Sequence, residues 1–206
     1  MKILLAAPLL LAFAIGCNDP AKDKPQATTD TAKAAAAPVQ GTSYAFSGAD
    51  STFGFIGAKV TGSHEGSFKT FQGKVVIPGT DIEKGSVTVD VDATSVVTDS
   101  EKLTGHLKSP DFFDTEKFPK ARFESTSVKK GGDGGATHTV TGNLTIRGVT
   151  KSVTFPVKAQ LNGDAFALDA EFKINRKDFG IVYAGRADDL IKDDVVIKLA
   201  IKAKKG

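Results

Sequence analysis

The chain has 206 residues, 27 basic against 24 acidic side chains for a formal net charge of +3, and one cysteine. So balanced a charge gives no field for nucleic acid, and a lone cysteine excludes an internal disulfide. Phenylalanine dominates the aromatics, 14 copies against two tyrosines and no tryptophan, which supplies apolar wall with few ring donors and suits either a packed core or an apolar cavity.

The chain begins with a basic Met1-Lys2, an apolar stretch from Ile3 to Ile15, and then Ala14-Ile15-Gly16-Cys17. About 13 apolar residues are short for a membrane span and right for a signal core. The pattern resembles a bacterial lipoprotein signal with its lipobox, with Ala14 where that pattern prefers Leu. The resemblance implies a signal peptide over residues 1–16, cleavage before Cys17, lipidation of Cys17, and a periplasmic domain anchored to a membrane, inner or outer. Asn18 to Gly41 holds Ala, Lys, Asp, Thr and Pro with almost nothing to bury. Residues 17–41 therefore read as the lipidated cysteine and a flexible tether, a coil spanning about 25–30 Å.

From Thr42 the pattern turns to period two, and residues 42–206 read as one β domain. Ser51–Val60 sets Phe53 and Phe55 on one face. Gly66–Ile77 carries Phe68 and Phe71, whose odd spacing predicts a bulge or bend near Thr70. Pro78-Gly79 marks a turn. Ser86–Ala93 alternates cleanly, with Val87, Val89, Val91 and Ala93 inward. Thr98 to Phe123 interrupts the strands. Thr98-Asp99-Ser100-Glu101 fits a capping box with Thr98 as N-cap, Leu103 and Leu107 share a helical face, Pro110 stops the helix, and Phe112, Phe113, Phe118 and Phe123 follow. A helix and an aromatic cluster between strands read as a lid.

Strand resumes over Ala121–Lys130, Thr137–Arg147, Thr150–Leu161 (with Phe155), Phe166–Ile174 (with Phe172) and Val195–Ala203. Gly131–Gly135 and Asn162-Gly163-Asp164 are hairpin signals. About eight long strands, mostly joined by tight turns, predict an all-β antiparallel fold. An eight-stranded up-and-down barrel removes exposed edges and can just hold one elongated ligand. A β-sandwich with a filled core is the alternative.

Three motifs, in order, carry a family resemblance: Leu107-Lys108-Ser109-Pro110-Asp111-Phe112-Phe113-Asp114 with Phe118-Pro119 and Phe123, then Gly142 to Thr150, then Ile174 to Ile181 with Phe179. Together with Gly62 to Gly73 they resemble the YceI-like proteins over Thr42 to Lys204. The resemblance implies an extended, lipocalin-like barrel that binds polyisoprenoid or related amphiphilic lipid, isoprenoid quinone included. The candidate ligand-binding residues are then Phe53, Phe55, Phe68, Phe71, Phe112, Phe113, Phe118, Phe123, Phe155, Phe172 and Phe179, with His106 and Arg176 near a head group. Each has a second reading: the rings meeting as a core, His106 as a surface residue, Arg176 as a structural partner of a nearby Asp.

Little else points to chemistry. His64, His106 and His138 share no metal-ligand spacing, the acidic run Asp188, Asp189, Asp193, Asp194 lacks an EF-hand pattern, and no serine stands in a nucleophile motif. The expectation is therefore a binding protein with no catalytic residue, metal or cofactor, whose partners are a lipid and, through Cys17, a membrane. A quinone-presenting electron-transfer accessory and a lipid-acting enzyme are the alternatives. The oligomeric state stays open, a homodimer among the options.

Overall fold

The computed structural model describes residues 19–206. Its strands are β1 (Thr28–Thr31), β2 (Thr42–Ser47), β3 (Thr52–Lys59), β4 (Gly62–Phe68), β5 (Phe71–Ile77), β6 (Ser86–Asp92), β7 (Val96–Thr98), β8 (Lys120–Lys130), β9 (His138–Ile146), β10 (Val149–Asn162), β11 (Ala165–Asn175), β12 (Gly185–Arg186), β13 (Asp189–Leu190) and β14 (Asp194–Lys205). One α-helix, α1 (Glu101–Lys108), lies between β7 and β8.

Antiparallel ladders join β2, β5, β6, β8, β9, β10, β11 and β14 in that order, and β14 returns to β2, so the sheet closes as an eight-stranded barrel. Three of its staves are kinked. β3 continues the line of β2 along β14, β4 that of β5, and β7 that of β6. The breaks fall side by side at Gly48–Ser51, Lys69–Thr70 and Ala93–Ser95, which includes the bend expected near Thr70. Backbone groups that lose ladder partners here find others. The Thr70 N–H donates to Ser95 Oγ (3.0 Å), the Lys69 N–H to the Ser95 carbonyl (3.2 Å), and the Lys202 N–H to Ser51 Oγ (3.0 Å).

The two barrel ends differ. At one end the chain turns at 78–85, 131–137 and 163–164, and Tyr44, Val75, Ile77, Val128, Val157, Phe166 and Ala203 fill the interior. The other end carries α1, the stretch after it, the β9–β10 hairpin tip and the loop from Arg176 to Asp193; it is the lid end. The N-cap of α1 is Ser100, whose Oγ accepts from the Leu103 N–H (3.4 Å). Thr98, expected in that place, is instead the last residue of β7 and donates its hydroxyl to the Ser100 carbonyl (2.7 Å). Leu107 is buried, and the Phe113, Asp114 and Thr115 N–H groups donate back to Leu107, Ser109 and Lys108, knitting the aromatic stretch to the helix end.

The flexible tether expected over 17–41 is corrected over residues 19–33, while 34–41 form no helix or strand. Asp19 to Lys33 lies across the outside of the barrel toward the lid end. Ala21 is buried against Ile56 and Val196, Lys24 pairs with Glu171 (2.9 Å), and β1 pairs with Lys151–Thr154 of β10. The physical reason is a seam. β10 and β11 pair only from Lys158↔Asp169 to Asn162↔Ala165 and then part. The open edges are covered by the N-terminal segment: the Ala27 N–H donates to the Lys173 carbonyl (2.9 Å), the Lys173 N–H to that of Pro25 (2.9 Å), and Ala27 is buried in the main core. Asn143 then brackets Lys33, accepting from its N–H (2.9 Å) and donating to its carbonyl (2.8 Å). Cys17 and the signal segment lie outside the described residues.

Candidate ligand-binding site

The inward positions of the staves enclose a cavity of about 220 Å³ whose wall is almost wholly apolar. It is a hollow because several rings lie flat on the wall rather than pointing to the axis. Phe55 stands opposite Gly66, and Phe46 opposite Gly73, in ladder register. A Cβ on Gly66 would come within 2.2 Å of the Phe55 ring, and one on Gly73 within 2.3 Å of Phe46. Phe123 covers Gly142 in the same way (2.4 Å), and Phe118 covers Gly148 (2.7 Å). Glycine is the one residue that leaves a ring room to lie down there.

Around the middle and toward the lid, Phe53, Phe55, Val89, Phe113, Phe123, Leu144, Ile146, Val195, Ile197 and Leu199 line the cavity and are only partly buried. Those on the strands alternate with outward-facing residues, so their remaining surface faces the hollow. All eleven phenylalanines singled out from the sequence line this cavity. They also touch one another in two groups. Phe155 and Phe172 stack at 4.2 Å across the β10–β11 seam with Phe123 tilted onto Phe155 at 5.7 Å, while Phe68 meets Phe53, Phe55 and Phe113 at 5.4–5.8 Å beneath the lid. Both readings of the set thus hold in part: wall, with local ring packing, around an open middle. Sequence reading passed over the aliphatic members, Val87, Leu144, Ile197 and Leu199 among them, which the period-two pattern already pointed inward.

The two polar candidates do not present a head-group site. His106 is absent from the cavity wall; its Nε2 pairs with Asp111 (2.8 Å) and its ring packs edge-on against Phe112 (4.9 Å) and Tyr183 (5.1 Å) on the outer side of the lid. Arg176 is among the residues of the cavity wall but only 4% exposed, and its guanidinium is taken up in structure. It donates to the carbonyls of Ile181 (2.7 Å), Lys192 (3.1 Å) and Ile191 (3.4 Å) and to Asp193 (3.2 Å), pinning both ends of the 181–193 loop. Burial pulls its pKa below the ordinary arginine value, with Asp193 acting in the opposite direction. Arg147 is a second clamp. With Gly148 it forms a two-residue hairpin turn with both φ positive, 50° and 74°, as a type I′ turn requires. From there it donates to the carbonyls of Gly180 (2.7 Å) and Pro110 (2.6 Å), tying loop and lid to the β9–β10 tip. Three of the four residues of the acidic run are spent likewise: Asp189 on Lys59, Asp193 on Arg176 and Lys177, Asp194 on Lys173. Among the described residues no group of three His, Cys, Asp or Glu stands close enough to hold a metal.

A family model described as a YceI-like domain matches residues 44–203. A UPF0312 protein of Serratia proteamaculans is 40% identical over 122 residues, 56% of this chain and 62% of that protein. Protein YceI of Escherichia coli O157:H7 is 41% identical over 122 residues, with the same shares of 56% and 62%. The match spans about three fifths of the length of these curated relatives. Among solved structures, BcnA of Burkholderia cenocepacia superposes with a TM-score of 0.65 at 26% identity, over 77% of this chain and 99% of that one. A polyisoprenoid binding domain from Saccharophagus degradans, implicated in plant cell wall breakdown, has a TM-score of 0.62 at 15% identity, over 81% of this chain and 100% of its own, a likeness of fold alone.

Proposed function

The chain belongs to the YceI-like family, and from that premise we propose that it is a membrane-tethered binding and carrier protein of the periplasm. Its hollow holds the tail of a polyisoprenoid or another long-chain amphiphile, such as an isoprenoid quinone, and Cys17 carries the lipid that tethers it. The observation that carries this reading is the apolar hollow, kept open by rings laid on glycines.

Magnitudes support an apolar ligand. An empty volume of 220 Å³, at about 24 cal/mol per Å³, corresponds to about 5 kcal/mol of missing contacts, which a bound tail restores. Each isoprene unit buries five carbons, a gross gain of roughly 3–4 kcal/mol, less the ordering of the chain. No polar contact is needed for affinity, and Arg176 and Arg147 are already engaged in structure. The site therefore selects by length and bulk and does no chemistry on what it holds.

Protein purified from membranes in mild detergent, examined by native mass spectrometry and by analysis of its organic extract, should carry close to one isoprenoid-type lipid per chain. An empty protein in both measurements would overturn the reading.

A further inference from the structure

We propose that the barrel sits lid end down on the bilayer, so that its cavity faces the membrane from which it loads. This deepens the reading above and rests on the acylation of Cys17 assigned there.

Three observations carry it. The first is where the folded chain begins. Asp19 pairs with Lys192 (3.7 Å), a residue of the cavity wall at the lid end, and Ala21 is buried against Ile56 and Val196 just below. Cys17 is two residues earlier in the sequence, so at full extension it lies at most about 7 Å from Asp19. A free tether to Gly41 would let the body turn in any direction. A leash of two residues brings this end of the barrel to the head groups and leaves the filled end, about 40 Å away along β14, outermost.

The second is the distribution of exposed apolar side chains. Among the described residues the large ones standing exposed are Val60, Val182 and Leu190. All are at the lid end. Val60 is at the tip after β3, and its N–H donates to the Leu190 carbonyl (3.1 Å). Val182 and Leu190 are on the loop whose Ile181 and Ile191 line the cavity. Single exposed valines need no explanation, but a set confined to one end, beside the anchor, fits the interfacial layer of a bilayer.

The third is that charges on this rim nearly cancel: Lys59 pairs with Asp189, Lys177 and Arg176 with Asp193, and Lys192 with Asp19, while Lys102, Lys108, Lys117 and Arg186 stand against Glu101, Asp114, Glu116 and Asp188. The rim therefore presents little net charge of either sign, and its docking is insensitive to anionic lipid and to salt.

The test uses the full chain, expressed with its own leader and returned to vesicles of phosphatidylethanolamine and phosphatidylglycerol. A cysteine introduced by Val182→Cys, or at the filled end by Asp164→Cys, takes an environment-sensitive dye, while a quencher is carried on the lipid. The label at 182 should be quenched severalfold more than that at 164, unchanged in high salt. Fifteen Gly/Ser residues inserted between Asn18 and Asp19 should remove most of the difference. Equal quenching at the two sites, or a mature Cys17 without acyl mass, overturns the orientation, and a difference that survives the insertion overturns the short leash as its cause. Bound lipid is measured in the same samples. A loaded cavity without a quenching difference sinks this inference alone, and a difference with an empty cavity sinks the carrier reading alone.

Discussion

At the scale of residues, the hollow depends on where phenylalanine has glycine for a neighbour. Gly73 is confined by both the Phe46 ring (2.3 Å) and the Thr88 carbonyl (2.7 Å), so Gly73→Ala must lift the ring and shift the strand. The expected loss is about 1–3 kcal/mol, read from urea unfolding; an unchanged midpoint would show that the ring is not held there. Arg176→Met leaves the Ile181 and Ile191 carbonyls without their donor and should lose about 2–4 kcal/mol. A guanidinium serving a head group would give the opposite pattern: intact stability with weaker binding of charged ligands. Asp189 offers a pH readout. Its hydrogen bond from Lys59, with further ones from the Thr61 hydroxyl and N–H, holds its carboxyl below the ordinary 3.8 against the opposing effect of burial. A depressed pKa means this tie of the lid loop is complete above 3.8 and is lost as the pH falls through the lower folded value. The Thr61 amide, 3.1 Å from Asp189 Oδ1, should therefore shift in an NMR titration with a midpoint below 3.8; a midpoint at or above it would contradict the pairing.

At the scale of elements, the staves and the N-terminal strap, Asp19 to Lys33, behave differently as sequence. The long strands were legible because Val87, Val89 and Val91, or Phe166, Leu168, Ala170 and Phe172, alternate without interruption, and the three-residue step from Phe68 to Phe71 marked the Lys69–Thr70 break. The strap was not legible. It buries only Ala21 and Ala27, too small to register as apolar periodicity, and it is held mainly by backbone bonds to edges that exist only because β10 and β11 part. No pattern in Pro25–Thr31 records that gap. The cap shift from Thr98 to Ser100 has a similar origin, since β7 needs Thr98 for its ladder with Gly66. Removing residues 19–31 should uncover the seam, lower Tm by several degrees, and promote self-association through the bared edges, measured by calorimetry and light scattering. An unchanged Tm would make the strap an ornament.

At the scale of the whole molecule, one end of the barrel is filled and the other is roomy, and the lid, the loop pinned by Arg176 and the start of the folded chain all gather at the roomy end. The wall could be anticipated, since all eleven phenylalanines picked from the sequence line it. The polar candidates could not be sorted, because which carbonyls surround Arg176 and which face His106 turns to are products of the closed fold. The central claim is that the hollow takes a hydrocarbon tail. It is tested most directly by binding a series of quinones with one to eight isoprene units to the wild-type barrel and to Leu144→Trp, which places a larger ring in the open middle. Affinity should rise at least about tenfold per unit until the hollow is full, and Leu144→Trp should bind far more weakly while keeping its Tm. Affinity independent of tail length, or undiminished in Leu144→Trp, would contradict the account.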